Sequence, residues 1–320
     1  MIGFVFRRFL QAIIVVIGVM LIVFILIHLI PGGPSGIARA YLGTRATRAQ
    51  IRQFVHQNHF DESTLVQLGQ YLQNLVWHHD LGYSYKLNQG VTTVITERLP
   101  KTLVLVGVGT IVALVVAVPL GIFQVVRRNK PSDYILTGLS FVFYAMPVFL
   151  LGALLILYFS FDLHWFPAEA PQGSTLGSIL SQPRGLVLPV FTIAALTIAS
   201  FSRYMRSSMM ETLTEDYVRT AKAKGAGPRR VLYLHALRNA VIPIITLLGL
   251  SIPAIVGGAI ITEALFNYPG MGLLTYQAIT NLDIPLLLGT TFVATLATIV
   301  GSLLADILYA VVDPRIRYAR

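Results

Sequence analysis

Four histidines in the first quarter of the chain are the densest cluster of side chains that could bind a metal ion. They are His56, His59, His78 and His79. A histidine metal site needs ligands spaced so that they share one face, usually with carboxylates or thiolates. No two of these histidines are four residues apart, nearby acidic residues are few, and the sequence contains no cysteine. Solvated histidines are therefore the favoured interpretation, and we predict no metal site.

A nucleotide-binding loop is the second chemistry to consider, because glycines recur at residues 225–230. The segment reads Gly225-Ala-Gly-Pro-Arg-Arg230 and lacks the closing Lys-Ser/Thr of a P-loop, the motif that cradles phosphates. The sequence also offers no Ser-His-Asp arrangement and no carboxylate pair in a plausible pocket. We therefore predict that the chain is not an enzyme, has no ATPase site and binds no cofactor itself.

The composition of the chain indicates which structural elements would position such residues, because it is strongly apolar. Of 320 residues, 55% are hydrophobic and only 12% are charged, and the mean hydropathy is +0.71. Soluble domains carry about 25% charged residues, and disordered chains have too little apolar surface to fold. Both classes are thereby excluded. The composition predicts an all-α membrane protein.

Six charge-free apolar runs are long enough to cross a hydrocarbon core about 30 Å thick as helices. Helices are required because unpaired backbone groups are too costly in lipid, and the alternating strands of a barrel are absent from the sequence. The six runs are 9–30, 102–126, 134–161, 185–202, 239–262 and 284–305. Prolines inside them, such as Pro147, are expected to bend the helices.

Basic residues predict the orientation of these spans. Sixteen of the 24 Lys and Arg residues lie near the two termini and in segments 127–133 and 203–238, whereas segment 263–283 has none. Loops rich in Lys and Arg stay in the cytoplasm. We therefore expect both termini in the cytoplasm. The net charge of +10 then reflects membrane topology and not nucleic-acid binding.

This topology divides the chain into four parts. An extracytoplasmic segment should contain two short amphipathic helices, and the membrane core should include a cytoplasmic loop. The predicted parts are a cytoplasmic N-terminus with the first membrane helix (1–30), the extracytoplasmic segment (31–101, with helices at 46–57 and 63–77), a five-helix membrane core (102–312, with the loop at 203–240) and a cytoplasmic tail (313–320).

Two carboxylates lie near predicted membrane depth and are candidate gate or path residues. Asp306 falls toward the cytoplasmic end of the sixth span, and Glu263 follows the outer end of the fifth. Ionisable side chains inside a membrane are usually paired or functional. For Asp306 we favour a structural pairing with a loop arginine over a proton relay. Glu263 is expected to shape the outer mouth.

The cytoplasmic loop is predicted to form two short helices with a sharp corner. Gly225 and Gly227 end the first helix, and Pro228 is suited to the first turn of the second. The second helix should continue to about residue 240. Its predicted inward-facing residues are Val231, Leu232 and Leu234. From the pattern alone, an amphipathic hairpin that only binds lipid headgroups is an equal alternative.

Two strings in this loop resemble a known family. They are Asp216-Tyr-Val-Arg-Thr-Ala-Lys-Ala-Lys-Gly225 and His235-Ala-Leu-Arg-Asn-Ala-Val-Ile-Pro243. Both are similar to the cytoplasmic loop of ABC-importer permeases, in the dipeptide/oligopeptide branch. Arg219-Thr220-Ala221 stands where the general importer pattern has Glu-Ala-Ala, and Gly225 is the pattern's glycine. His235, Leu237 and Arg238 replace its Ile, Leu and Pro, a departure that suits the peptide branch.

Further motifs resemble the same family in the same order along the chain. They include Arg98-Leu-Pro-Lys-Thr-Leu103, Tyr144-Ala-Met-Pro-Val-Phe149, Gly257-Gly-Ala-Ile-Ile-Thr-Glu263 and Phe266-Asn-Tyr-Pro-Gly-Met-Gly272. The resemblance implies six transmembrane helices in a type I ABC importer permease architecture, in a bacterial inner membrane. It also implies coupling to the ATPase through Asp216, Arg219, Thr220, Ala221, Lys222, Gly225, His235, Leu237 and Arg238.

The resemblance further implies what this chain works with. Two ABC ATPase subunits would bind ATP and Mg, a second homologous permease would complete a heterodimer, and an extracytoplasmic peptide-binding protein would deliver the substrate. The predicted function is import of di- and oligopeptides. Related permeases carry nickel, glutathione or haem, so these substrates stay open.

Two other classes of membrane protein are alternatives to an ATP-driven importer. An ion-coupled secondary transporter would favour inverted repeats and several carboxylates near the bilayer midplane, and the sequence shows neither. A membrane anchor or assembly factor would not need a cytoplasmic hairpin with a glycine corner. Both are less favoured than the permease.

Overall fold

The computed structural model describes residues 2–29, 32–43, 45–257 and 259–312, and within them the chain is almost entirely helical. The expected cytoplasmic tail, 313–320, lies outside the described residues. The first helix, α1, spans Ile2–His28. Three short helices follow it, α2 (Gly33–Leu42), α3 (Arg48–Gln57) and α4 (Thr64–Trp77), and then an antiparallel hairpin of β1 (Tyr83–Ser84) and β2 (Gln89–Gly90).

The remaining helices form the membrane core and its connections. In chain order they are α5 (Val91–Val126), α6 (Pro131–Ala145), α7 (Val148–Leu155, extended by a π-helix, Ile156–Asp162), α8 (Leu176–Leu180), α9 (Val187–Thr212), α10 (Asp216–Ala223), α11 (Pro228–Arg230, followed by a π-helix, Val231–Ala236), α12 (Leu237–Ala240), α13 (Ile242–Gly257), α14 (Ile260–Leu265), α15 (Met271–Thr280) and α16 (Ile284–Val312). A 3₁₀ turn, Pro183–Leu186, precedes α9.

Five helical segments in the described residues are long and apolar enough to cross a membrane. They are Leu10–His28, Val91–Val126, Pro183–Thr212, Pro228–Ile252 and Ile284–Leu304. A sixth span results if the bent pair Pro131–Ala145 and Val148–Asp162 is counted as one. The six apolar runs of the sequence therefore correspond to five continuous helical segments and one bent pair of helices.

The break in the third span has a local cause. Helices α6 and α7 meet at an angle of 104°. Proline lacks a backbone N–H and pushes the preceding residue out of the helical region. Met146 accordingly has an extended backbone (φ −74°, ψ 128°), and Pro147 has ψ 135°. The sequence predicted a bend here, and the structure shows a full interruption.

Helices α5 and α9 extend beyond their apolar runs. Helix α5 begins at Val91 although the apolar run begins at residue 102, and α9 ends at Thr212 although its run ends at residue 202. Charged residues lie in both extensions. Lys101 is almost fully buried, and its Nζ donates a hydrogen bond of 2.9 Å to the carbonyl of Gly173.

Close packing of α5 on α9 forms the centre of the membrane core. Gly121 of α5 lies against Met205 of α9, and a Cβ at position 121 would approach the Met205 Cβ to 2.6 Å. Gly109 faces Ile193 in the same way, at 2.9 Å. Small residues allow helix backbones to approach closely in membranes. The two glycines therefore fix the distance between these spans.

The segment between the first two spans is tied to the start of α16. The Asp283 carboxylate accepts hydrogen bonds from the hydroxyl of Tyr41 in α2, at 3.2 Å, and from Ser84 in the hairpin. The Tyr41 hydroxyl also accepts the backbone N–H of Ile284, at 3.0 Å. Asp283 is almost fully buried. One carboxylate thus connects three elements that are far apart in sequence.

Candidate coupling hairpin and outer clamp

Helix α10 is a short amphipathic helix that presents a charged face. The Val218 side chain of α10 is fully buried. The side chains of its residues Asp216, Arg219, Thr220 and Lys222 are exposed. Arg219 and Asp216 approach each other to 3.5 Å on this exposed surface. Such an exposed pair contributes little to stability. These four side chains are therefore free to contact another molecule.

The corner after α10 depends on Gly225. Its φ of +84° lies in the left-handed region that glycine adopts without strain. The amide of Gly225 donates to the Lys222 carbonyl at 2.9 Å, and the amide of Ala226 donates to the Ala221 carbonyl at 3.1 Å. This is the Schellman pattern of helix termination. A Cβ at position 225 would meet no atom within 4 Å, so the requirement for glycine is conformational.

The second arm begins at Pro228 and runs into the fifth span as one helical segment, Pro228–Ile252. Part of it, Val231–Ala236, is a π-helix. A π-helix has more residues per turn than an α-helix and therefore rotates the faces that follow. Val231 is buried and Leu232 is half-buried, as the sequence predicted, but Leu234 is exposed. The prediction for Leu234 is wrong because it assumed a regular α-helix.

A polar contact closes the hairpin. The Asn239 side-chain amide in α12 donates a hydrogen bond of 2.8 Å to the Tyr217 hydroxyl in α10. Of the other predicted coupling residues, Ala221, His235 and Leu237 are half-buried and Arg238 is exposed. The contact joins the two arms of the hairpin at its open end.

Glu263 lies in the protein interior. Its carboxylate accepts hydrogen bonds from the Thr102 hydroxyl at 2.9 Å and from the amides of Gly272 and Leu273 at 2.6 and 3.0 Å. The side chain is fully buried. The expectation that Glu263 shapes the outer mouth stays a prediction, and the structure adds that the carboxylate is buried among hydrogen-bond donors. The residue clamps α14, α15 and the upper part of α5 together.

Two glycines make this clamp sterically feasible. A Cβ at Gly270 would lie 2.4 Å from both Glu263 Oε2 and Thr102 Oγ1, and a Cβ at Gly272 would lie 2.8 Å from the backbone of Ile260. Tyr268 completes the arrangement, because its buried hydroxyl donates to the Lys101 carbonyl at 2.7 Å. The sequence contained the motif Phe266–Gly272 but gave no sign of its partner, Thr102.

The structure also contains an ion pair that sequence reasoning missed. Arg206 in α9 donates two hydrogen bonds to the Asp133 carboxylate in α6, at 2.9 and 3.0 Å. The Asp133 side chain is only 2% exposed. Arg203, one turn earlier, lies 4.6 Å from the ring centroids of both Phe141 and Tyr144. Both arginines belong to α9, whereas the sequence assigned them to the cytoplasmic loop.

The remaining candidates concern Asp306 and the histidines. Asp306 lies in α16, but its side chain is outside the described residues.

His56 and His59 contact Asp61 and Glu62 at 3.0 and 2.8 Å, and the hydrogen bond with His56 lowers the pKa of Asp61. In the described part of the chain, His, Asp and Glu side chains form no group of three or more that could hold a metal ion.

A mostly helical chain with five or six apolar spans, one of them joined to a helical hairpin, has the architecture of an integral membrane protein. Residues 117–318 match the family described as binding-protein-dependent transport system inner membrane component. Residues 1–106 match the corresponding N-terminal family. The chain belongs to this family, and it is a permease subunit of an ABC transporter. A permease of this class works with ATPase and binding-protein partners.

Relatives match over nearly the whole chain. The oligopeptide transport system permease protein AppB of Bacillus subtilis is 36% identical, covering 99% of this chain and 100% of that protein. A putative peptide permease of Brucella ovis is 39% identical over 93% of both chains. The dipeptide transport system permease protein DppB of Alkalihalophilus pseudofirmus is 35% identical, covering 99% and 100%.

A solved structure supports the fold. In an inward-facing MetNI methionine ABC transporter, one chain superposes with a TM-score of 0.53, covering 69% of this chain and 97% of that chain. The sequence identity is 16%, so the similarity concerns the fold alone. It agrees with the type I importer architecture that the sequence predicted.

Proposed function

We propose that this chain is the permease subunit of an ATP-driven importer of di- and oligopeptides, in which it forms half of the translocation path. The curated relatives are named oligopeptide, dipeptide or peptide permeases, and the similarity covers essentially their full length. These names favour peptides over nickel, glutathione or haem. They also favour an ABC permease over a secondary transporter or an anchor.

The observation that carries the mechanism is the continuity of the second hairpin arm with the fifth span. The second arm enters the membrane as one helical segment, Pro228–Ile252, so a displacement of the hairpin would be passed to the fifth span. The exposed face of α10, together with Ala221, Gly225 and the arm residues His235, Leu237 and Arg238, would contact an ATPase subunit. Closure of the ATPases around ATP and Mg would then move the fifth span.

The proposed assembly contains two ATPase subunits, a second homologous permease and an extracytoplasmic peptide-binding protein. Both termini and the 216–238 hairpin lie in the cytoplasm of a bacterial cell, whereas the 31–101 segment begins on the outer side. ATP and Mg bind to the ATPases, and this chain holds no cofactor. Asp306 pairs with an arginine of a cytoplasmic segment.

Uptake of labelled peptides tests the substrate. Cells that lack this chain should lose uptake of a labelled tripeptide, and the intact gene should restore it. Unlabelled peptides of two to five residues should compete, whereas Ni²⁺, glutathione and haem should not. Competition by one of these three compounds, with no effect of peptides, would overturn the peptide assignment and leave the importer class intact.

A pair of glycine variants tests the coupling role of the corner. Gly225→Leu places a side chain where φ is +84°, whereas Gly227→Leu places the same side chain where φ is −63°. Neither added Cβ meets an atom within 4 Å. In the reconstituted complex, Gly225→Leu should abolish transport while ATP hydrolysis persists, and Gly227→Leu should retain more transport. Equal transport in the two variants would contradict the proposed lever.

Orientation can be tested with added thiols, because the natural sequence has no cysteine. In intact cells, an impermeant maleimide should label Gln182→Cys, which lies before the fourth span, and should not label Lys224→Cys on the hairpin. After the membrane is opened, both should react. Labelling of Lys224→Cys in intact cells would reverse the proposed topology.

A further inference from the structure

Helix α4 packs along the membrane-spanning part of α1 and does not stand clear of it. Near the start of α4, the Gln67 side chain lies 3.3 Å from the His28 ring at the end of α1. One turn later, the Tyr71 ring meets the Phe24 ring edge-on, with centroids 6.0 Å apart. Later residues of α4 therefore contact earlier residues of α1, so the two helices are antiparallel.

The end of α4 reaches the middle of the first span. Leu75 and Val76 line a groove together with Ile13 and Ile17 of α1. The apolar span of α1 is Leu10–His28. At a rise of about 1.5 Å per residue, the end of α4 lies roughly 15 Å or more below the end of α1. That is about half of a hydrocarbon core about 30 Å thick.

The composition of α4 fits this position. Its 14 residues, Thr64–Trp77, include no charged side chain, although acidic residues stand just before and after it at Glu62 and Asp80. Four large apolar side chains of α4 are exposed: Leu65, Val66, Val76 and Trp77. If α4 lay in water outside the membrane, these four side chains would form an exposed apolar surface without an explanation. Beside a membrane span they continue its lipid-facing surface.

The groove beneath α4 is apolar and large. Its volume is about 780 Å³. Most of its lining comes from α1, α4 and α16, and the polar exceptions are His79 and Thr92. Because α1 and α16 are membrane spans, the groove opens at membrane depth.

The backbone at the end of α4 is also suited to a water-poor setting. The Asn74 carbonyl, which would be unpaired at the end of a frayed helix, accepts the amides of His78 at 3.0 Å and Asp80 at 3.3 Å. Backbone groups in lipid must be satisfied internally because no water is available.

We propose that α4 is a re-entrant helix, inserted beside α1 and α16 into the leaflet where α1 ends, and that phospholipid acyl chains cover its outer face and fill the groove beneath it. The occupant is lipid because the groove is continuous with the lipid-facing surfaces of two spans. The segment between the first two spans is then anchored in the membrane by α4, in addition to its covalent connections to α1 and α5.

Site-directed spin labelling distinguishes lipid from water and from protein. The variants are Val76→Cys and Leu65→Cys on α4, with Ile14→Cys on the exposed face of α1 as the lipid control and Gln53→Cys on α3 as the aqueous control. The chain has no cysteine of its own, so the unmodified complex, isolated through a tag on this chain and placed in lipid nanodiscs, reports any background from partner subunits. Each nitroxide is tested for collision with O₂ and with a water-soluble nickel chelate.

A label at Val76 should behave like the label at Ile14, with frequent O₂ collisions and several-fold fewer nickel collisions than at Gln53. The label at Leu65 should lie between them. Frequent nickel collisions at Val76, equal to those at Gln53, would place α4 in water and overturn the proposal. Infrequent collisions with both reagents would also overturn it, because a partner subunit would then cover the groove.

Discussion

Asp133 and Arg206 form a two-point ion pair between α6 and α9, with N–O distances of 2.9 and 3.0 Å. The pair joins the first turn of the broken third span to the last third of the fourth. Asp133 also accepts the amide of Asn129 at 3.2 Å. The carboxylate therefore fixes the short turn between α5 and α6 as well as the two helices.

Removal of one member of this pair should be more damaging than removal of both. Arg206→Met leaves the Asp133 carboxylate buried and unpaired, which we expect to lower the free energy of unfolding by about 3 kcal/mol. In the double variant Asp133→Asn with Arg206→Met, the charge is gone and the loss should be smaller. Thermal unfolding in detergent measures both. A double variant less stable than Arg206→Met would contradict this account.

The Glu263 clamp predicts a graded series. Glu263→Gln keeps an oxygen for the amides of Gly272 and Leu273 but loses the acceptor for Thr102, so stability should fall by about 1 kcal/mol. Glu263→Leu leaves all three donors unpaired in the interior, and the loss should reach about 3 kcal/mol or more. Melting temperatures should therefore decrease in the order wild type, Gln, Leu. Identical melting of the two variants would exclude the clamp.

Two glycines of α5 provide a matched test of close packing. A Cβ at Gly121 would lie 2.6 Å from the Met205 Cβ and 2.9 Å from the Ser202 carbonyl, whereas a Cβ at Gly107 meets nothing within 4 Å. Gly121→Ala should destabilise the protein by about 1–3 kcal/mol through overpacking. Gly107→Ala should be neutral or stabilising by up to about 1 kcal/mol. Similar unfolding temperatures would show that α5 and α9 can separate freely.

The contact between Tyr217 and Asn239 predicts local loosening of the hairpin. Tyr217→Phe removes the acceptor of the Asn239 amide and should cost about 0.5–1.5 kcal/mol locally. Amide hydrogen exchange in residues 216–226 should accelerate, while global unfolding changes little. Tyr233→Phe, at another exposed tyrosine of the hairpin, is the control. Unchanged exchange in Tyr217→Phe would show that the corner alone holds the two arms together.

The sequence was most informative where a property is local. Charge-free length located the spans, Pro147 marked the break in the third, and Gly225 marked the corner of the hairpin. Each follows from the conformational preference or the solvation of a single stretch of chain. The short helices at 46–57 and 63–77 were likewise predicted close to their observed bounds, Arg48–Gln57 and Thr64–Trp77.

Features that depend on tertiary contacts could not be predicted. The extension of α5 before residue 102 contains Lys101, whose charge ends the apolar run. Its burial depends on a hydrogen bond to the distant Gly173 carbonyl. The buried position of Glu263 could not be predicted because the sequence does not show that Thr102 faces it. The exposure of Leu234 depends on a π-helix, which leaves no periodic signature in six residues.

That π-helix, Val231–Ala236, has a consequence for insertions and deletions. The number of residues in this stretch sets the direction in which α10 points around the axis of the fifth span. Each residue of an α-helix turns the chain by about 100°. Deletion of one residue that restored a regular helix would therefore point the charged face of α10 in a different direction while leaving the span in the membrane. Length in this stretch is constrained even where residue identity is not.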